Sequence, residues 1–384
     1  MLYLPYMLRI NVKRRHKGHP WIFSNEITKK ENIVPGEIVE VYQGHTFLGQ
    51  GFYNPHSLIA VRLFSTTHQE FNQQFINDTV DRALEFRNKI TTENSFRLIY
   101  SESDGLPGLI VDKYEESFVI QINCFGMDMR RGMVIESLAR MKPGFIYEKS
   151  DSQLRKLEGL ESKQGLIFGT LEKPVLIKQD DFLFTVDIEQ GQKTGFFFDL
   201  ADIRRKVRDN SRDRNVLDLF CYSGSFSIYA VCGSAASVTG VDSSEPAIAL
   251  AQENCRRNNM QDVRFVCDDA FDFLRNDRDC YDLIIVDPPS FTKSKRALAA
   301  ARRGYKDINL LAMKHLNKNG VMVTTSCSYH LSEEDFKDVL HKSAIAAGID
   351  LRITGRVTQS LDHPILLNMP ETNYLKCLFL QRID

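Results

Sequence analysis

Residues 282–290 read Asp-Leu-Ile-Ile-Val-Asp-Pro-Pro-Ser, and a second apolar run ending at Val323 gives way to Thr324, Thr325, Ser326, Cys327 and Ser328. An unbroken run of Ile and Val, with no polar residue at alternate positions, suits a strand covered on both faces. That is a parallel strand inside an α/β sheet. Open α/β sheets bind ligands beyond the carboxyl ends of their strands, and these two runs stop there at a carboxylate, Asp287, and a thiol, Cys327. A carboxylate able to hydrogen-bond a base edge, facing a thiol able to add to the ring, points to covalent chemistry on a pyrimidine.

The rest of the C-terminal half agrees with such a sheet. Strands are expected at 216–220, 237–242, 263–267, 283–287 and 320–326, with helices at 225–232, 246–258, 270–276 and 305–316. The last two strands, 350–357 and 374–381, are joined by Asp362, His363, Pro364 and Pro370 with no room for a full helix. An antiparallel closing hairpin is therefore expected, which separates methyltransferase sheets from dehydrogenase sheets. Residues 1–66 alternate short apolar runs with turn signals such as Pro35-Gly36 and Asn54-Pro55, the pattern of a small β-barrel-like module. A helix at 70–90 leads into a mixed segment with strands at 96–100, 108–112, 118–123 and 145–148 and a helix at 127–141. The expected division is a barrel-like domain at 1–68, a central α+β domain at 69–182 and a mixed-sheet domain at 183–384.

Composition narrows the function classes. A chain of 384 residues, 43% hydrophobic and 26% charged, is an ordinary globular protein of two or three domains. The apolar start, 1–8, is short, interrupted and without a basic residue, and no later stretch approaches a membrane span, so a cytoplasmic protein is expected. The eight cysteines are scattered with no Cys-x-x-Cys pair or Cys/His cluster, which points to neither a metal nor a disulfide framework. Net charge is −1, but basic residues gather at Arg9–Lys30 and again at Lys293, Lys295, Arg296, Arg302, Arg303 and Lys306. Each run alone reads as a solvated face; beside a reactive site, such cations suit phosphate positioning.

At 218–226 the chain reads Asp-Leu-Phe-Cys-Tyr-Ser-Gly-Ser-Phe, a strand, a tight turn and a helix start. Gly224 lets the backbone approach a ligand, but the single glycine does not make the pyrophosphate loop of a dinucleotide fold. Asp242 ends the next strand, suited to both ribose hydroxyls of an adenosine ligand. Asp268 and Asp269 follow the strand after that, where a carboxylate can accept from an adenine amino group. Helix capping is the competing role for these acids.

These segments, with Gln192-Lys193-Thr194-Gly195-Phe196-Phe197-Phe198-Asp199, 303–309, 362–364 and His-Pro-Trp-Ile-Phe-Ser-Asn-Glu-Ile at 19–27, resemble class I S-adenosylmethionine-dependent RNA methyltransferases. Within them the chain is similar to bacterial 23S ribosomal RNA cytosine-5 methyltransferases that carry an N-terminal PUA domain, over essentially its whole length. The resemblance implies a Rossmann-like mixed sheet, S-adenosylmethionine as cofactor and large-subunit ribosomal RNA as partner. It implies that Phe220, Tyr222 and Gly224 hold the methionine part, Asp242 the ribose and Asp269 the adenine, with Asp287 also at the cofactor. Lys193 and Phe198 would lie in a segment covering it. Cys327 would be the nucleophile and Asp287 would polarise the base. From their place beside Asp287, Pro288 and Pro289 would hold the loop rigid and Phe291 would stack on the base, and charge placement puts Lys293, Lys295, Arg302 and Arg303 on substrate phosphate. The oligomeric state stays open, a homodimer among the options.

Many RNA cytosine-5 methyltransferases carry a second cysteine after Asp-Pro-Pro, where this chain has Ser290, so the base that removes the C5 proton stays open. An amino-group methyltransferase acting on guanine or adenine is the main alternative, although it would need no thiol at 327. A non-catalytic RNA-binding protein and a dehydrogenase stand further off.

Overall fold

The computed structural model describes residues 8–13, 18–28, 32–291 and 297–384 and divides into two compact units. Among the described residues, no helix is long and apolar enough to cross a membrane.

The first unit comprises Met1–Asp181, Val186–Phe198 and Leu361–Thr372. Its N-terminal part is a five-stranded sheet in the order Leu8–Asn11, Ile38–Gln43, Thr46–Tyr53, Ile59–Ser65, Trp21–Phe23. Ile10, Val39, Val41, Tyr53 and Val61 form its core, the inward half of a period-two pattern. Its second part is a five-stranded sheet in the order Lys163–Gly169, Phe145–Ser150, Ser117–Ile122, Leu109–Tyr114, Phe96–Tyr100. Helices Gln73–Ile90 and Arg131–Ala139 cover this sheet through Ile76, Val80, Ala83, Val134 and Leu138. The edge strand Lys163–Gly169 was not expected from sequence, because it is exposed along most of its length and carries no apolar alternation.

Buried ion pairs anchor two chain segments to this second sheet. Arg97 donates through Nε and Nη2 to both oxygens of Asp112, each at 2.8 Å. Thr194 donates to the same carboxylate, and the Phe196 amide donates to Tyr114 Oη at 3.0 Å. Asp362 accepts from the Arg97 amide at 2.9 Å, and its carbonyl accepts from fully buried Arg87 at 2.8 Å. So the 192–198 and 362–364 motifs, far apart in sequence, are fastened to adjacent strands.

The second unit comprises Phe182–Thr185, Asp199–Ser360 and Asn373–Asp384. Its strands are β1 (Asn215–Leu219), β2 (Ser237–Asp242), β3 (Val263–Cys267), β4 (Tyr281–Val286), β5 (Leu316–Ser326), β6 (Leu351–Val357) and β7 (Lys376–Arg382). The seven-stranded order is β3-β2-β1-β4-β5-β7-β6, with β7 antiparallel to both neighbours and the β1–β5 pairs parallel. The expected closing hairpin is present, and its second strand is the one inserted beside β5. The helices are α1 (Ala201–Asp209), α2 (Ser225–Cys232), α3 (Glu245–Arg257), α4 (Ala270–Asn276), α5 (Leu298–Lys314) and α6 (Glu333–Ala347). Ile308, Ala312, Met313, Phe336, Val339 and Leu340 pack on Ile284, Val286, Met322, Leu378 and Leu380, closing one sheet face. Helices α1 and α6 were not expected from sequence, and α5 begins at Leu298 rather than 305.

Asp112 is fully buried, so Asp112→Ala leaves the Arg97 guanidinium without its carboxylate and releases Thr194. The expected cost is about 3–5 kcal/mol, read as a lowered urea midpoint with the m-value kept. An unchanged midpoint would show that the pair does not hold this unit together.

Candidate active site

Parallel pairing brings the carboxyl ends of β1, β2, β4 and β5 to one edge of the sheet, and the polar residues there come from the turns that follow. After β1 the chain turns sharply: Phe220 has φ +61°, Tyr222 φ +46° and Gly224 φ +75°. Left-handed backbone at two aromatic residues costs on the order of 1–3 kcal/mol each, a strain that marks functional turns. Gly224 begins α2, and a Cβ there would lie 2.9 Å from Ala251 Cβ and 3.2 Å from Phe265 Cζ. Asn254, fully buried on α3, holds the turn by donating to Ser223 O at 3.0 Å while accepting from the Thr185 amide at 2.7 Å. Sequence reading missed Asn254; its signal is an amide on the apolar face of an amphipathic helix.

Asp242 is oriented by that turn and by its own helix. Its Oδ2 accepts from the Tyr222 amide at 3.0 Å and its Oδ1 from the Ser244 amide at 2.9 Å. Each oxygen keeps a lone pair for a ligand hydroxyl. Asp269 is exposed and caps α4, its Oδ1 accepting from the Phe271 and Asp272 amides at 2.8 and 3.2 Å. Ser244 caps α3.

Asp218 lies deepest. It is fully buried, accepts from Ser227 Oγ at 2.7 Å, and its Oδ1 has no hydrogen-bond partner among the described residues. Burial pushes its carboxyl up to about 7, and the charges of Asp287 and Asp242 act in the same direction.

At the end of β4, Asp287 is half-buried and accepts from Thr325 on β5, where the register pairs Val286 with Thr324. Half-buried Cys327 follows two residues beyond Thr325. Around it, Tyr305 Oη lies 2.8 Å from Ser328 Oγ, and Ser328 Oγ lies 2.9 Å from Ser290 Oγ. Burial pushes the Tyr305 phenol up to about 12, with the charges of Cys327 and Asp287 acting the same way. Lys376 opens β7 opposite Ser326, and burial pushes its ammonium down to about 8 against the pull of Cys327 and Glu333. Tyr305 and Ser328 lie in segments quoted above but were given no role there, and Lys376 was not singled out, because they meet at this edge from α5, a turn and the antiparallel strand.

The substrate-side residues divide. Pro288 is buried and Pro289 exposed. Phe291, expected to stack on a base, packs edge-on against Tyr305 at 4.8 Å and joins the core rim. Arg302, expected to meet phosphate, donates instead to Asp335 at 2.8 Å and Asp338 at 2.6 Å on α6. Those acids arrive from a later helix, so the local sequence looked purely basic. Arg303 is exposed; Lys293 and Lys295 lie outside the described residues. In the first unit, Lys193 is exposed with its Nζ 4.4 Å from the Phe197 ring centre. Phe198 there is a packed core residue against Tyr114 and Phe196.

Residues 9–66 match the PUA-like domain family, and residues 166–327 match the S-adenosylmethionine-dependent methyltransferase family. Over 379 residues the chain is 40% identical to ribosomal RNA large subunit methyltransferase I of Pseudoalteromonas translucida, spanning 95% of this chain and 96% of that protein. The protein of the same name from Alteromonas mediterranea is 36% identical, with 97% of each chain covered. The solved structure of SMU.776 in complex with SAH superposes with a TM-score of 0.85 at 20% identity, covering 98% of this chain and 99% of that one. That likeness is one of fold, and it agrees with the α/β class expected above.

The residues present suit S-adenosylmethionine, the cofactor of the matched family. Its sulfonium and ammonium are cations, and this edge holds Asp242 and Asp287 close enough to act on Asp218, one of whose oxygens is unpartnered among the described residues. A cationic ligand relieves that repulsion. The sign follows: Asp218 is protonated below about 7, a bound cation favours its ionised form, and binding at pH 6.5 should therefore release a proton. Calorimetry in buffers of differing ionisation enthalpy should detect this release, with affinity rising as pH passes through 7, and Asp218→Asn should remove both effects. Identical buffer dependence in wild type and variant would take Asp218 out of the cofactor's field.

Proposed function

This chain belongs to the ribosomal RNA large subunit methyltransferase I family, and on that premise we propose that it methylates C5 of a cytosine in 23S ribosomal RNA through a covalent adduct of Cys327. C5 of cytosine is a weak nucleophile because its electrons belong to the aromatic ring. Addition of the Cys327 thiolate at C6 makes C5 enamine-like, and loss of the C5 proton later expels the thiol. Bound S-adenosylmethionine supplies an electrophilic methyl group on sulfur. Asp287 polarises the ring by hydrogen bonding at N3 or N4, its carboxylate held in one orientation by Thr325. The buried face of Pro288 stiffens the turn that presents the base, which must be extruded from its stack to be reached.

The observation that carries this reading is the half-buried thiol one residue past β5, two residues beyond the Thr325 hydroxyl that orients the Asp287 carboxylate at the end of β4. Amino-group methylation would leave that thiol without a task. Among the described residues of the basic run, Arg303 is the exposed cation suited to a phosphate contact, since Arg302 is paired with α6. The PUA-like module would grip flanking RNA, and work on ribosomal RNA would place the protein in the cytoplasm.

Cys327→Ser should lower single-turnover methyl transfer by about 10³-fold or more while leaving cofactor affinity within about twofold of wild type. RNA containing 5-fluorocytosine, which has no C5 proton to lose, should form an adduct stable to denaturing electrophoresis with wild type only. Full turnover by the serine variant would sink the covalent mechanism.

A further inference from the structure

A nucleophilic thiol must first lose its proton. At an ordinary pKa near 8.5, only a few per cent of a cysteine is thiolate at neutral pH. Lys376 stands where it can change that. It pairs across the sheet with Ser326, the last residue of β5, and its Nζ donates to Ser328 O and Leu331 O, both at 2.8 Å. The amine is thus held inside the turn that leads away from Cys327, half-buried and within electrostatic reach of the thiol.

Two carbonyl acceptors matter for the chemistry. A neutral amine has two N–H bonds and one lone pair; an ammonium has three N–H bonds. The carbonyls engage two hydrogens in either state, so one pose serves both and the third position is left to accept or hold a proton. We propose that Lys376 takes the proton of Cys327 and, as the ammonium, stabilises the thiolate before addition to the base and again when it is expelled. This rests on the reading of Cys327 as nucleophile. In the forward step the S–H bond breaks and an N–H bond forms, leaving the electron pair on sulfur to make the S–C6 bond. When that bond breaks after loss of the C5 proton, its electron pair returns to a sulfur that faces a cation.

The surroundings favour this exchange. Burial brings Lys376 down to about 8, close to an ordinary thiol, so little energy separates the two proton positions. Tyr305, pushed up to about 12, keeps its proton and does not compete, and burial also holds the Cys377 thiol well above its usual range. Asp287 at the end of β4 and Glu333 at the start of α6 add negative charge. Glu333 is itself paired with Lys337 and lies 4.0 Å from Arg356 of β6, and Lys206 of α1 acts on neighbouring Cys377. Lys376 also lines a cavity of about 290 Å³ with Tyr329, Glu333, Arg356 and Asn373, through which water can exchange its proton.

The test is the pH profile of Cys327 alkylation by iodoacetamide in the full-length protein, resolved by peptide mass spectrometry. Exposed Cys232, Cys267 and Cys280 serve as internal references. Lys376→Met should raise the Cys327 midpoint by about one pH unit or more, leave the reference cysteines unmoved, and keep cofactor affinity within about twofold. Lys376→Arg, which keeps the charge and the carbonyl contacts, should hold the midpoint at or below that of wild type. Coincident midpoints for wild type and Lys376→Met would overturn the proposal, as would a raised midpoint in Lys376→Arg. The profile needs no methyl transfer, so a missing 5-fluorocytosine adduct would overturn the cytosine reading separately.

Discussion

The hydrogen bond from Thr325 to Asp287 ties the ends of two adjacent parallel strands, and the reactive edge depends on it. Parallel pairing in the register Val286 with Thr324 sets the carboxylate and the hydroxyl level, and Cys327 follows from that alignment. Side chains on a strand alternate between faces, so a slip of one residue would turn Thr325 away from Asp287 and carry the thiol with it. The slip is opposed by the core below, where Ile284, Val286 and Met322 lock into α5 and α6. Tyr305 and Ser328 complete the setting from above the same strand end.

Charge is the second organising constraint. The edge collects Asp218, Asp242 and Asp287, and the deepest of them keeps an oxygen without a partner among the described residues. Such an arrangement is unfavourable until a cation arrives, and S-adenosylmethionine is one. The strained backbone at Phe220 and Tyr222 belongs to the same economy: the turn is held open by Asn254 and Asp242 rather than by its own preference. Across the edge the polarity reverses, with Lys376 beside the thiol.

Much of this is legible in the sequence, and the reason is local. Runs such as Leu-Ile-Ile-Val ending in Asp287 carry their burial and their polar terminus in consecutive residues, so strand, direction and edge follow together. Helix α4 and strands β2 and β3 matched expectation to the residue, each bounded by its own cap or turn. What sequence did not disclose depends on distant partners. Arg302 looked like one of several free cations until α6 supplied Asp335 and Asp338. Phe291 sat beside the reactive motif in sequence but turns onto Tyr305 in space. Helix α1, with five charged residues after Asp202 in a nine-residue span, reads as a polar loop until Ile203 and Val207 are seen buried. Lys376 could not be tied to Cys327 from sequence, because only the insertion of β7 beside β5 sets it opposite Ser326, the residue before the thiol.

The most direct measurement is the identity of the methylated nucleoside. Protein incubated with S-adenosylmethionine labelled in its methyl group and with large-subunit ribosomal RNA, followed by digestion and chromatographic analysis, should yield label in 5-methylcytidine. Label in an N-methylated guanosine or adenosine would contradict covalent chemistry at Cys327 and return Asp287-Pro288-Pro289 to amino-group methylation.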